Sequence, residues 1–506
     1  MTIAPLLPLL VIVPLLAAAV MTLVRNRTLG AIVMVAMPVI VTVVGVLMIG
    51  YHRENPVVAN ALGGFADGIA IPFVSDTFSA VMITVTGLAT SATCAFLVIT
   101  GESRYRFVVP LVLMLIAGVN GALLTGDLFN LFVFVEVMLL PSYALIALTG
   151  SWRRLGVGRL FVTVNLVTST ILLMGVGLVY GAAGTVNLAA LAGLGAKDPR
   201  VGLALTVVLL ALAIKAAVVP AHTWLPRTYP ATSPGIMALF SALHTKVALY
   251  AIYRIYSVTF AGEAPWLPVL IVLVALTIVV GALSTLGERT VRHALSFQMV
   301  SGVGHILVGL AVFTAFSLGA GLLYMVHHIV TMGALLLLAG AIEHTYGSGR
   351  FDRLSDLIRR DPWVAGVFAI GLLSLVGLPP ASGLWGKVAL VASAAQATPW
   401  IAATMITSII IASILSLLAL QRMWDGVFWG QPMETYRADS PRTRLTEPIP
   451  CPPEVRIGAK IAAPGIALMV VSVGIFLAIG AIAPVMQQAG TDLTQIAPYV
   501  EAVLPR

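Results

Sequence analysis

Charge is what this 506-residue chain has least of: 9% of its residues are Asp, Glu, Lys or Arg, against 59% that are hydrophobic. A soluble domain carries about 25% charged residues. So few charges cannot cover a water-facing surface, and lipid is the solvent that fits. Cysteine is nearly absent as well. Cys94 lies in an apolar run and Cys451 in a polar loop, a spacing that supports neither a metal site nor a disulfide framework. There is no nucleotide-binding loop, haem motif or iron–sulfur cysteine pattern, so no cofactor and no redox or ATPase chemistry is expected of this chain. A formal charge of +8 would suggest nucleic acid in a soluble protein. Here the arginines are scattered over short loops and form no basic face, which excludes that partner and fits the topogenic bias of membrane loops.

Long apolar runs dominate. A span needs about 20 apolar residues, and fourteen segments qualify: 3–24, 29–50, 73–99, 107–125, 128–149, 159–181, 201–225, 233–258, 266–286, 292–315, 318–342, 363–395, 399–424 and 463–486. The first has no basic region before it and reads as a retained helix, not a cleaved signal. With both termini outside, twenty Lys and Arg fall in inside loops and five outside (Arg53, Lys197, Arg200, Arg254, Arg506). That asymmetry favours this orientation. The expected class is an all-α polytopic membrane protein. Residues 426–462, rich in proline, read as a cytoplasmic loop.

Lys215, Lys246 and Lys387 remain inside spans. A charge at the bilayer centre costs about 2.5 kcal/mol or more, so such residues are functional candidates. Glu136 joins them. It lies nine residues beyond Asp127, about 13 Å deeper along a helix and near the midplane of a ~30 Å core. Asp127 itself marks the interface, with a helix-end role as the alternative. Pro220 follows Lys215, and Pro379-Pro380 precedes Lys387; in each case proline breaks the helix beside a lysine. Broken helices are tolerated in membranes only around buried protein or water. A Glu136–Lys215 pair would be a tunable switch: about 4 kcal/mol at 4 Å and an effective dielectric near 20, or about three pKa units. His305, His327 and His328 lie in adjacent apolar spans, and histidine titrates in the range that suits proton hopping. His327 and His328 point to different faces, so at most one is expected to face a path. His244 sits two residues before Lys246. No oxygen-rich cluster reads as a hard-cation site, so no metal is expected; Asp76 is a weak candidate, with a helix-start role as its alternative. Each of these residues also has the plainer reading of a group that only holds helices together.

Spans four to eight and nine to thirteen correspond, each with its broken, lysine-bearing helix in fourth place. An offset of five spans inverts one unit relative to the other, a pattern found in transporters. The expected organisation is 1–106 (three helices), 107–260 (first repeat), 261–425 (second, inverted repeat), 426–462 (loop) and 463–506 (last helix and tail). Glu136 then has His305 as its positional counterpart.

Four runs carry a family resemblance: GDLFNLFVFVE (126–136), KAAVVPAHTWLP (215–226), Thr245-Lys246 and GLPPASGLWGK (377–387). Together they resemble the antiporter-like subunits shared by respiratory complex I, membrane-bound hydrogenases and Mrp cation/proton antiporters, over about residues 70–425. The length and Lys387 are most similar to the D-type Mrp subunits; the complex I counterpart has glutamate at the 387 position. The resemblance implies a proton path through Glu136, Lys215, Lys246, His305, His328 and Lys387, with Asp127, His244, His327 and Asp76 as accessory residues. It also implies a bacterial plasma membrane, partner subunits (large A- and C-like ones and small hydrophobic ones), and exchange of protons for monovalent cations, usually sodium. Where relatives often have a lysine after the histidine pair, this chain has Thr331-Met332. The alternatives are a proton-pumping component of a quinone- or hydrogenase-linked redox complex, a self-sufficient carrier for a small solute, and a structural scaffold.

Overall fold

Apolar runs of this length have one way to satisfy their backbone in lipid, the α-helix, and the computed structural model is built of helices. It describes residues 3–65, 68–147, 152–437 and 448–505, the side chains of 152–155 excepted. The main helices are α1 (Leu9–Leu23), α2 (Arg27–Tyr51), α3 (Thr77–Ile99), α4 (Val108–Leu124), α5 (Leu128–Ala147), α6 (Trp152–Ala183) and α7 (Pro199–Lys215). There follow α8 (Pro234–Phe260), α9 (Leu267–Thr285), α10 (Val291–Val312), α11 (Ala315–Tyr346), α12 (Pro362–Val376), α13 (Gly383–Ala394) and α14 (Pro399–Val427). The chain ends with α15 (Ala459–Leu477), α16 (Ile479–Thr494) and α17 (Ala497–Val503). Among the described residues, eleven helices are long and apolar enough to cross a membrane; α4, α12 and α13 are shorter apolar helices. The chain is thus an all-helical, multi-pass membrane protein.

Local chemistry sets the helix ends. Asp76 caps α3 in a box with Ser79, and Thr314 caps α11 in a box with Ser317. Ser233 and Thr290 cap α8 and α10. Proline stands in the first turn of α7, α8, α9, α12 and α14, where its missing N–H costs nothing.

Two helices form the centre. α8 and α11 are buried along their whole apolar stretch. α8 packs against α3, α4, α7, α10 and α11; α11 packs against α3, α8, α10, α12, α13, α15 and α16. These two buried helices carry Lys246 and the histidine pair.

The two expected breaks are present. α7 ends at Lys215, and the chain resumes with single turns at Ala221–Thr223 and Trp224–Thr228. Ala217 takes a left-handed conformation there (φ 64°), a strained one for a residue with a Cβ. Backbone bonds hold it: Val218 N donates to Ala213 O (3.0 Å) and Val219 N to Thr277 Oγ1 (3.1 Å). The second break separates α12 from α13. Gly377 ends α12 at φ 99°, and a Cβ at that position would come within 2.6 Å of Lys387 Cδ. Only glycine fits that turn beside that lysine. Val219–Pro220 and Pro379–Pro380 are cis.

Three sequence expectations change. The last span stops at Leu477, and α16 follows as a separate helix packed on α3 and α11. Its Gln487, Gln488 and Asp492 make it too polar to continue an apolar run. Arg254 is not a loop cation. It is buried in α8, with Nη2 2.6 Å from Asp76 Oδ2 and its guanidinium over the rings of Phe78, Tyr250 and Tyr499. Asp76, offered as a weak cation ligand, is occupied by that ion pair and by its helix cap. The physical reason is tertiary neutralisation: the carboxylate 178 residues away lets an arginine stay inside. Finally, the 426–462 loop is anchored. β3 (Thr435–Tyr436) pairs with β4 (Ile449–Pro450), in addition to the earlier hairpin of β1 (Val57–Ala61) and β2 (Pro72–Asp76). Arg360 donates to Cys451 Sγ (3.0 Å) and Pro452 O (2.9 Å). Arg442, Arg444 and Arg506 of the charge count lie outside the described residues, as do the side chains of Arg153 and Arg154.

Removing one partner of a buried pair leaves a stranded charge and costs about 3–5 kcal/mol. Arg254→Leu is therefore expected to lower the thermal unfolding midpoint of the detergent-purified protein sharply, and Asp76→Asn with Arg254→Leu to recover part of it. Gly377→Ala is expected to be destabilising by about 1–2 kcal/mol, whereas Gly177→Ala, at a glycine with open space around it, is expected to leave the midpoint unchanged.

Candidate functional site

Seven helices pack in a row, each touching the next: α5, α6, α7, α8, α11, α13 and α14. Each contributes a polar or ionisable side chain to the interior. In order these are Glu136, Ser169, Lys215, Lys246 with His244, the pair His327 and His328, Lys387 and Ser413. α10 lies beside the row, against α8, α11 and α13, and adds His305.

At one end Glu136 and Lys215 do not meet directly. The Ser169 hydroxyl stands between them: Lys215 Nζ donates to Ser169 Oγ (3.0 Å), and Ser169 Oγ donates to Glu136 Oε1. A hydroxyl with one hydrogen and two lone pairs serves both charges at once. The expected ion pair is therefore a bridged one, with a longer charge separation and a weaker direct attraction. Lys215 is the last residue of α7, where the negative end of the helix dipole favours a cation.

His244 is within electrostatic range of Lys215, but its hydrogen bonds are closed. Ser142 Oγ donates to Met138 O (2.8 Å), so its contact with His244 Nε2 (2.8 Å) uses the imidazole hydrogen. The Tyr229 hydroxyl supplies Nδ1 at 3.1 Å. A neutral imidazole is fully satisfied there. Lys246 is fully buried and donates to Thr245 Oγ1 (3.1 Å). Among the described residues no carboxylate pairs with it.

The histidines are different. His328 has no hydrogen bond of normal geometry at either ring nitrogen and lies within electrostatic range of Lys246. A Cβ on Gly302 would collide with its Nε2, so glycine makes its room. His305 donates from Nδ1 to Ser301 O (2.8 Å), since a carbonyl can only accept; its Nε2 is unpartnered. Its ring stacks on Tyr324, 5.0 Å between centroids. His327 contacts Ser382 and Thr331 through Nδ1, and its Nε2 is unpartnered. Both His305 and His327 lie within electrostatic range of Lys387. Consecutive helix residues point about 100° apart: the His328 ring lies against Gly302 of α10, while His327 meets Ser382 and Gly383 at the start of α13. Both rings are buried on α11, with different neighbours.

Lys387 has no carboxylate partner among the described residues. Its Nζ donates to Val376 O (2.8 Å) and Ser413 Oγ (2.8 Å). Val376 is the last residue of α12, so the break supplies a carbonyl freed from helix bonding. Each broken helix thus holds a lysine at a helix C-terminus. Asp127 lies away from the row: its Oδ1 accepts from Asn130 N (2.7 Å) at the start of α5. Among the described residues no group of three His, Cys, Asp or Glu is placed to hold a metal ion.

Sequence reasoning misses Ser169 and Ser413. Serines and threonines are frequent in these helices, and most bond the carbonyl one turn back, as Ser142, Thr168 and Ser408 do. Nothing local marks the few that turn to a lysine instead.

Known proteins share this fold. The family model described as "NADH:quinone oxidoreductase/Mrp antiporter, TM" matches residues 125–413. The D subunit of the Na(+)/H(+) antiporter of Alkalihalophilus pseudofirmus is 33% identical over 405 residues, 78% of this chain and 81% of that protein. The corresponding D subunit of Bacillus subtilis is 31% identical over 98% of both chains. A chain in the structure of the Mrp complex from Dietzia sp. DQ12-45-1b superposes with a TM-score of 0.95 at 42% identity, covering 100% of both chains. A chain of the archaeal membrane-bound sulfane sulfur reductase superposes with a TM-score of 0.85 at 25% identity, covering 99% of this chain and 100% of that one. The chain belongs to the NADH:quinone oxidoreductase/Mrp antiporter transmembrane family, and over nearly its whole length it is similar to the D subunits of Na+/H+ antiporters.

Proposed function

We propose that this chain is the D-type subunit of a multisubunit Na+/H+ antiporter, a transporter component and not an enzyme, and that it carries protons along the row of buried side chains. One observation carries the reading: seven successively packed helices each bring a polar or ionisable group to the interior, from Glu136 to Ser413. Intramembrane ionisable residues that only glued helices together would be expected to close their hydrogen bonds, as His244 does. His305 and His327 each leave Nε2 open.

In this mechanism protons enter on the Glu136 side and reach Lys215. Ser169 couples the two: while it bridges them, Glu136 stabilises the ammonium form of Lys215. When the bridge opens, Lys215 gives up its proton toward Lys246. His328, near Lys246, and His327 with His305, near Lys387, carry it to the second break. Lys387 can be neutral or charged at low cost because it is held by a carbonyl and a hydroxyl instead of a carboxylate. Fourteen spans, two inverted five-helix repeats, termini outside the plasma membrane of a bacterium, partner A- and C-like and small hydrophobic subunits, and sodium as the exchanged cation complete the proposal. They are supported by the charge asymmetry of the loops, the paired breaks and the similarity to antiporter D subunits. A redox-complex role is the second reading, supported by the family model, which spans NADH:quinone oxidoreductases as well as Mrp antiporters, and by the weaker similarity to the sulfur reductase chain. Iron–sulfur or flavin subunits purifying with this chain in place of small hydrophobic ones would favour it.

Cation-dependent proton uptake into vesicles containing the assembled complex tests the mechanism. Glu136→Gln, Lys215→Ala and Lys387→Ala are each expected to abolish it while assembly persists; wild-type uptake in all three would refute the path. Ser169→Ala is expected to reduce uptake by about tenfold, the size of one hydrogen bond to a charged group, with Ser169→Thr retaining most of it.

A further inference from the structure

The Nδ1 atom of His327 belongs to a closed ring of four polar atoms. It lies 2.9 Å from Ser382 Oγ and 3.2 Å from Thr331 Oγ1, and Ser472 Oγ lies 2.8 Å from Ser382 Oγ and 2.9 Å from Thr331 Oγ1. All four residues are buried. They come from α11, from the break between α12 and α13, and from α15. The sequence places Ser472 outside both repeats, and the proton path as described above makes no use of it, of Thr331 or of Ser382.

Hydrogen counting settles what this ring does. It has four contacts at hydrogen-bond distance, and each needs one hydrogen. The three hydroxyls supply one hydrogen each. With a bare Nδ1, one contact is left as two lone pairs facing each other in a buried site, a costly arrangement. With a hydrogen on Nδ1, that hydrogen is shared between Ser382 and Thr331 and two of the three hydroxyl hydrogens serve the contacts to Ser472, so every contact holds a hydrogen and the third hydroxyl hydrogen turns out of the ring. In the neutral imidazole the other nitrogen, Nε2, then carries the lone pair. That atom is buried and has no partner. The ring is also locked in place. Ser382 N donates to the Ser472 carbonyl (3.1 Å), and a Cβ on Gly383 would come 2.9 Å from His327 Cε1.

We infer that Ser472, Ser382 and Thr331 are positioning residues that fix the tautomer of His327, so that Nε2 is a bare proton acceptor. The inference rests on the proton-path reading and specifies which nitrogen of His327 takes up the proton. His305 reaches the same tautomer through the Ser301 carbonyl, so the second half of the row holds two histidines with Nδ1 protonated and Nε2 open. The titratable groups near His327 are Tyr324, whose ring meets it edge-on at 5.2 Å, Lys387 from α13, His305 from α10 and its neighbour His328, itself near Lys246 of α8. α12 carries no ionisable residue between its ends, and α3 carries only the buried thiol of Cys94. Lys460 of α15 is twelve residues, about 18 Å, from Ser472 along the helix. Asp492 of α16 faces Thr77 and Asp76 instead.

Ser472→Ala removes one ring hydroxyl and leaves the backbone link to Ser382 intact. Two hydroxyls and two contacts then remain, and both tautomers satisfy them. In vesicles with the assembled complex, Ser472→Ala is expected to lower cation-dependent proton uptake by about fivefold, the size of one net hydrogen bond. The loss should deepen as pH rises, because a less well-held imidazole is a weaker proton acceptor. Ser382→Ala should behave alike, and Ser472→Thr should restore both rate and pH profile. A purely structural role would lower the amount of assembled complex and leave the pH profile of what assembles unchanged; that result, or wild-type behaviour of Ser472→Ala and Ser382→Ala, overturns the inference. His327→Gln separates the two levels: wild-type uptake in that variant removes His327 from the path, whereas loss of uptake there with silent Ser472→Ala and Ser382→Ala leaves the path standing and defeats the tautomer assignment alone.

Discussion

Everything in the interior of this protein answers to the cost of holding charge away from water. An isolated ammonium or carboxylate in a low-dielectric interior is expensive, and the chain meets that cost in three ways. Arg254 is neutralised by Asp76 and enclosed by aromatic rings. Glu136 and Lys215 share the Ser169 hydroxyl. Lys387 is solvated by a helix-end carbonyl and a serine. Only the first is a tight, closed pair. The others use dipoles, which stabilise a charge without demanding it.

That difference separates anchoring from translocation. A direct buried ion pair locks both partners in their charged forms. A bridge through a hydroxyl, or a carbonyl and a hydroxyl in place of a carboxylate, leaves the lysine free to exist in either form. The helix breaks matter for the same reason. An intact helix has no spare carbonyl in the membrane, whereas α7 ends at Lys215 itself and α12 ends on a carbonyl that Lys387 takes up. The histidines extend the principle: where a carbonyl or a hydroxyl ring takes up Nδ1, the opposite nitrogen is left to accept a proton.

Much of this is legible in the chain itself. Glu136, Lys215, Lys246 and Lys387 stand out because charges are rare in long apolar runs, and Pro220 and Pro379-Pro380 announce the breaks. Arg254 is misread from sequence as a loop cation, and the partner that Asp76 finds beyond its helix-start role is not legible there. Their pairing spans 178 residues, and no local signal distinguishes an arginine near a helix end that faces water from one that meets a distant carboxylate. The same limit hides Ser169, Ser413 and Ser472. A serine in a transmembrane helix usually bonds its own backbone, and which face it presents depends on neighbours from other parts of the chain.

The sequence alone therefore determined the solvent, the helical class, the position of the buried charges and the two breaks, because each follows from composition or from covalent geometry within a few residues. The tertiary structure decided which charges are closed and which stay open: Arg254 with Asp76, the hydroxyl between Glu136 and Lys215, the separate neighbours of His327 and His328, and the ring around His327. Those outcomes depend on the donors and acceptors that distant helices bring within about 3 Å of one another, and helix packing alone sets that distance.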